Sequence, residues 1–96
     1  MSYRSKKLLA SSEGQSCVIC GDVGSTVSAH ANSVALGKGT GIKCPDFYVA
    51  HLCHTCHALY DGRAGRLTKA EKEDLWVTAY LRTVARWFNQ GIVVVK

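Results

Sequence analysis

The chain has 96 residues, 47% hydrophobic and 20% charged, with 12 Lys and Arg against 7 Asp and Glu for a formal charge of +5. That length argues for one domain with a core small enough to profit from a metal staple, and the composition excludes fibrous and disordered classes. Lys6 and Lys7 are followed only by Leu8-Leu9-Ala10 before the polar run Ser11-Ser12-Glu13, too short for a secretory h-region. No apolar run is long enough to span a bilayer, so the expectation is a cytoplasmic protein without a membrane partner, its thiols kept reduced.

Residues 1–16 read as a polar, basic N-terminal arm, mobile or loosely docked, serving as a solvated tail or a nucleic-acid contact. Residues 17–96 read as a single domain, with a core over 17–66 and a helix and short strand over 68–96. Cys17-Val18-Ile19-Cys20 is a metal knuckle in which Gly21 and Gly24 permit the tight turn that aims both sulfurs at one point. Thr26 to His30 predicts a short strand ending at a histidine. Ser33 to Lys43, with Gly37, Gly39 and Gly41 beside Lys38 and Lys43, predicts a flexible basic loop. Asp46 to Leu52 carries Phe47, Tyr48 and Val49 and suits a second strand. After the second knuckle, Cys53-His54-Thr55-Cys56, the stretch from His57 to Asp61 predicts a short helix stopped by Gly62. Thr68 and Glu71 have the spacing of a capping box. Leu75, Trp76, Ala79, Tyr80, Val84, Trp87 and Phe88 then recur at helical spacing, predicting a helix from Lys69 to Asn89 with its tryptophans in the core and Gly91 as its stop. Ile92 to Val95 predicts an edge strand.

Two Cys-x-x-Cys turns supply the four thiolates that close a tetrahedral structural zinc site, so Cys17, Cys20, Cys53 and Cys56 are the expected Zn²⁺ ligands. Cys44, before Pro45, is left as a free thiol. Cys53-His54-Thr55-Cys56-His57 also has the c-type haem attachment spacing. Haem would leave Cys17 and Cys20 without a role, and Met1, the one methionine, is a poor axial ligand. Four histidines remain. His51 and His54 read as structural or surface residues. His30 ends the first strand, and His57 and Asp61 share one face of the short helix. A histidine and an aspartate so placed can hold a divalent ion with positions open to water and a phosphate oxygen.

With Ala29-His30 ending a strand, a Gly-rich loop, Pro45-Asp46, and Cys53-x-x-Cys56-His57-x-x-x-Asp61, the chain resembles the HNH, or ββα-metal, endonuclease superfamily, and most nearly the small phage and prophage nucleases of the YbcO type. The resemblance covers roughly residues 17–63. It implies a small α+β domain, a zinc-stapled, treble-clef-like ββα-metal core packed with a long C-terminal helix. It further implies a metal-dependent endonuclease acting on DNA in a bacterial host. By that resemblance His30 is the general base for an attacking water, and a catalytic divalent cation (Mg²⁺, Mn²⁺ or Zn²⁺) is held by His57 and Asp61. Lys38, Lys43, Arg63 and Arg66 would offer cations along the DNA path. Three positions depart from the wider pattern: Ala29 stands where a metal ligand often precedes the base, Asp61 replaces a final histidine, and the asparagine that orients the base has no clean match. Asp46 is the nearest counterpart in sequence order and Asn32 the next. The alternatives are a non-catalytic zinc-ribbon module that binds nucleic acid, consistent with the basic charge, and a protein-interaction module whose zinc only holds the fold.

Overall fold

Two short runs of β-branched and small residues form the sheet of this small α+β protein: β1 (Val27–His30) and β2 (Val49–Leu52) pair antiparallel with Val27 opposite Leu52 and His30 opposite Val49. A computed structural model describes residues 3–96, and the first two residues of the expected arm lie outside the described residues. Around the sheet are α1 (Lys6–Ala10), α2 (His54–Asp61) and α3 (Lys69–Asn89). All four residues of β2 are buried. Ala50 and Leu52 join a cluster with Trp76 and Ala79 of α3, while Val49 joins Leu8 and Trp87.

The longest helix has the predicted bounds, because both its ends are written locally. At its start Thr68 Oγ1 accepts the Glu71 N–H at 3.1 Å and Glu71 Oε1 accepts the Thr68 N–H at 2.9 Å, the reciprocal capping box. At its end Gly91 (φ 70°) turns the chain left-handed, and the N–H groups of Ile92 and Gly91 donate to Trp87 O and Phe88 O. Its buried residues, Trp76, Ala79, Thr83 and Trp87, fall on one stripe. Trp76 stacks on Tyr80 at 4.9 Å between ring centroids, and its Nε1 donates to Ala29 O at 3.1 Å. Truncating such a residue to alanine costs ~3–5 kcal/mol.

The predicted edge strand over Ile92 to Val95 does not form. Ile92 and Val93 spend their N–H groups on the Trp87 carbonyl and fold back beside that ring. β propensity alone does not make a strand without a hydrogen-bond ladder to stabilise it, and the end of α3 takes these N–H groups instead. The loop over 33–43 holds a 3-10 turn (Val34–Leu36) and a bridge between Gly39 and Ile42.

The arm is likewise not a loose tail. Ser5 Oγ accepts the Leu8 N–H to start α1, and Leu8 is buried against Val49 and Trp87. The polar, basic composition concealed this, since Leu8 is the one residue of the arm buried in the apolar cluster and other contacts are polar. Ser11 Oγ donates to Leu8 O, accepts from Trp87 Nε1 at 2.8 Å, and lies 2.9 Å from His51 Nε2. The other ring nitrogen of His51, Nδ1, accepts from Arg86 NH1 at 3.1 Å, so the neutral ring carries its proton on Nε2. His51 is therefore the buried structural histidine the sequence reading allowed for, while His54 is exposed. No helix of the described residues is long and apolar enough to cross a membrane.

Candidate metal centre and active-site cleft

The expected zinc ligands come from two knuckles far apart in sequence yet meet. In the first knuckle the Cys17 N–H donates to Asp22 O at 2.8 Å and the Gly21 N–H to Cys17 O at 2.9 Å, with Gly21 at φ 81°. Arg82 and Arg86 of α3 donate to Val18 O and Ser16 O, both at 2.8 Å, and clamp this turn. In the second knuckle Cys53 is the N-cap of α2, its sulfur accepting the Cys56 N–H. The knuckle is thus the first turn of the helix, which starts at His54 rather than after Cys56.

The sulfurs of Cys17, Cys20, Cys53 and Cys56 all lie within 4.8 Å of one another, with Cys20 and Cys53 at 3.5 Å. A tetrahedral zinc with bonds of about 2.3 Å sets its sulfurs ~3.8 Å apart, so this donor set fits one zinc ion. All five cysteines are free thiols, and Cys44 is buried outside the cluster with its sulfur facing Ser33 O. Burial resists ionisation of Cys17, but backbone N–H groups at Cys20, Cys53 and Ile19 outweigh it and bring the thiol down to about 6. Burial and the neighbouring sulfurs push Cys56 up. Four sulfurs this close cannot all become thiolates unless a cation joins them.

His30, from the end of β1, and His57 and Asp61, from α2, line one cleft of about 480 Å³ with Ser28, Asn32, Lys38 and Lys43. On the helix face His57 Nε2 lies 3.2 Å from Asp61 Oδ2. The carboxylate late in α2 has no favourable helix dipole. A cation does meet it: Arg63 NH2 lies 3.2 Å from the same oxygen. Arg63 is returned to this position by the end of α2, where Gly62 (φ 77°) turns the chain and the Arg63 N–H donates to Ala58 O at 2.9 Å. Burial pushes the His57 imidazole down against the upward pull of Asp61, with Arg63 and His54 adding to the fall. Arg66 is exposed and does not line the cleft. Among the described residues the four cysteines are the one group of three or more metal-ligating side chains whose donor atoms converge. His57 and Asp61 therefore stand as a pair.

Behind His30 sits Asp46, 2% exposed, with Oδ1 2.9 Å from His30 Nε2. Burial alone would raise this carboxyl. The hydrogen bonds from His30, the Ser5 N–H and Arg4 outweigh it and hold Asp46 below the usual carboxylate range. An ionised carboxylate only accepts, so the neutral His30 ring carries its proton on Nε2 and its lone pair on Nδ1. Asn32 takes no part in this contact; its N–H donates to Tyr60 Oη at 2.6 Å. Sequence reasoning missed Arg4 and Ser5. The signal available was indirect: a carboxylate between Pro45 and an aromatic pair, destined for burial, needs more donors than one histidine.

The sequence matches no protein-family model and no curated protein. The fold is similar to the solved structure of a protein from Escherichia coli str. K-12, ascribed to a bacteriophage, with a TM-score of 0.65. The match covers 86% of this chain and 98% of that one at 21% sequence identity, a likeness of fold.

Proposed function

We propose that this chain is a metal-dependent endonuclease of the HNH class, hydrolysing DNA phosphodiester bonds and encoded by a phage or prophage. One observation carries the reading: a histidine held in a defined tautomer by a buried aspartate shares a cleft with a His–Asp pair and two lysines. In this reading His30 Nδ1 takes a proton from the attacking water, and Asp46 holds the ring and stabilises the imidazolium that results. Lys38 and Lys43 offset the charge of the DNA backbone at the cleft, with Arg63 and Arg66 outside it. His57 and Asp61 would hold the divalent ion. Their donor atoms lie 3.2 Å apart in the cleft, close enough to serve one cation together. When bound, the ion supplies positive charge to the developing phosphorane and the leaving oxygen. The resemblance of the fold to a protein ascribed to a bacteriophage supports the phage origin.

A second reading has its own observation. Asp61 is already met by Arg63, and among the described residues no third metal-ligating side chain converges with it and His57. A zinc-stapled module that binds nucleic acid without cutting it would tolerate that arrangement. Plasmid cleavage by wild type and His30→Ala, with Mg²⁺ or Mn²⁺ and with EDTA, separates the two when zinc content is measured alongside. The nuclease reading expects metal-dependent cutting that His30→Ala abolishes while retaining its zinc. Zinc-loaded wild type that binds DNA and cuts none of its forms would move the assignment to the binding module.

A further inference from the structure

The segment before α1 does more than dock. Tyr3, Arg4 and Ser5 clasp the stretch from Lys43 to Phe47. The Asp46 N–H donates to Tyr3 O at 2.9 Å, the Ser5 N–H donates to Asp46 Oδ2 at 2.7 Å, and the Tyr3 and Phe47 rings lie 5.4 Å apart. Arg4 NH1 reaches both Asp46 Oδ1 and Cys44 O at 3.0 Å, and NH2 reaches Lys43 O at 3.2 Å. One planar guanidinium therefore joins three points: the carboxylate behind His30 and two carbonyls at the end of the basic loop that borders the cleft. A lysine, with its single point charge, could not span them.

We infer that Arg4 is a positioning residue for the cleft, holding Asp46 ionised and oriented so that His30 keeps its proton on Nε2 and its lone pair on Nδ1. Oδ1 of the buried carboxylate meets His30 and Oδ2 accepts from the Ser5 N–H, and Arg4 adds a charged donor to Oδ1. A carboxylate with that counter-charge stays ionised and so remains an acceptor toward His30. Without Arg4, Asp46 keeps the His30 and Ser5 contacts but loses its counter-charge. It becomes easier to protonate, and a carboxylic acid can donate to Nε2 and drive the ring proton to Nδ1. The carbonyls of Lys43 and Cys44 lose the same anchor, so the loop bearing Lys43 loosens together with the base.

The catalytic consequence rests on the nuclease reading; the structural one does not, and the test keeps them apart. The full-length, zinc-loaded chain is labelled with ¹⁵N, and the His30 ring is read by long-range ¹H–¹⁵N correlation in wild type and Arg4→Ala. Plasmid cleavage is followed against pH on the same samples. The expected result is an Nε2–H ring in wild type and a shift toward Nδ1–H in Arg4→Ala. For cleavage, kcat is expected to fall ~10- to 100-fold, as for a misplaced catalytic group, with the acid limb of the pH profile moved to higher pH because Asp46 takes up its proton earlier. A purely structural role would lower stability without moving the tautomer or the acid limb. If Arg4→Ala fails to retain zinc, Arg4→Gln, which keeps a donor and loses the charge, is read in its place. An unchanged Nε2–H ring in the folded variant, with kcat within about twofold of wild type, overturns the inference. Absence of cleavage by wild type would instead remove the nuclease reading, and the ring spectra would still decide the role of Arg4.

Discussion

Acidification should destabilise this protein through His51. His51 is 0% exposed, and burial and the adjacent Arg86 guanidinium bring it down from 6.5 to about 4. The unfolded chain thus takes up a proton there that the folded chain refuses. The folded value is depressed, so the stabilisation is complete above pH 6.5 and is lost as the pH falls toward 4. At roughly 1.4 kcal/mol per pH unit the whole effect is about 3 kcal/mol, of which about 2 kcal/mol falls between pH 7 and pH 5. That is a large share of the stability of a domain this small. The assay is denaturant unfolding of the zinc-loaded protein across that range, for wild type and His51→Asn. The asparagine keeps an acceptor for Arg86 and loses the group that titrates. It should cost ~1–3 kcal/mol at pH 7, for the contact to Ser11 it gives up. It should then lose about 2 kcal/mol less than wild type on acidification. Protonation of the zinc thiolates affects both proteins alike and cancels in the comparison. Parallel loss of stability in the two proteins would show that His51 is not the group responsible.

Three further outcomes are expected. Cys20→Ser changes an exposed ligand with little packing of its own, so a loss of bound zinc and of cooperative unfolding in this variant would report the metal's contribution alone; full zinc occupancy by metal analysis would contradict the four-sulfur site. Asp46→Asn presents an amide to donors on both sides, and cleavage should drop by roughly 10²- to 10⁴-fold with zinc content intact, a figure set by loss of the correct histidine tautomer; activity near that of wild type would remove Asp46 from the site. Thr68→Ala removes one half of the capping box and should lower unfolding stability by about 1 kcal/mol, leaving zinc content and DNA cleavage unchanged; a loss of activity here would mean that the start of α3 bears on the cleft.

Features that depend on neighbours in the chain were legible before any coordinates. The two knuckles, the glycine stops after Asp61 and Asn89, the Thr68–Glu71 cap and the aromatic stripe of α3 are each satisfied within a few residues, through turn geometry, local hydrogen bonds or helical period. The His57–Asp61 pairing was legible for the same reason, since four residues on a helix bring two side chains to one face. Ile92 to Val95 misled because β-branched residues make a strand only when they join a ladder, and here the end of α3 takes the N–H groups of Ile92 and Val93 first.

Tertiary structure alone decided the rest. The meeting of Cys17 and Cys20 with Cys53 and Cys56 was inferred from chemistry, but it is β2 and the clamps from Arg82 and Arg86 that hold the knuckles face to face. Of the two candidates for a partner to His30, Asp46 and Asn32, it is Asp46 that the fold brings against the ring, while the Asn32 N–H meets Tyr60. Arg4 and Ser5, some forty residues away in sequence, entered through the needs of a buried carboxylate, and His51 found Ser11 and Arg86 in the same manner. Buried polar groups must be satisfied, but the sequence does not say by whom, because a donor from any distance along the chain serves equally well once folding has brought it near.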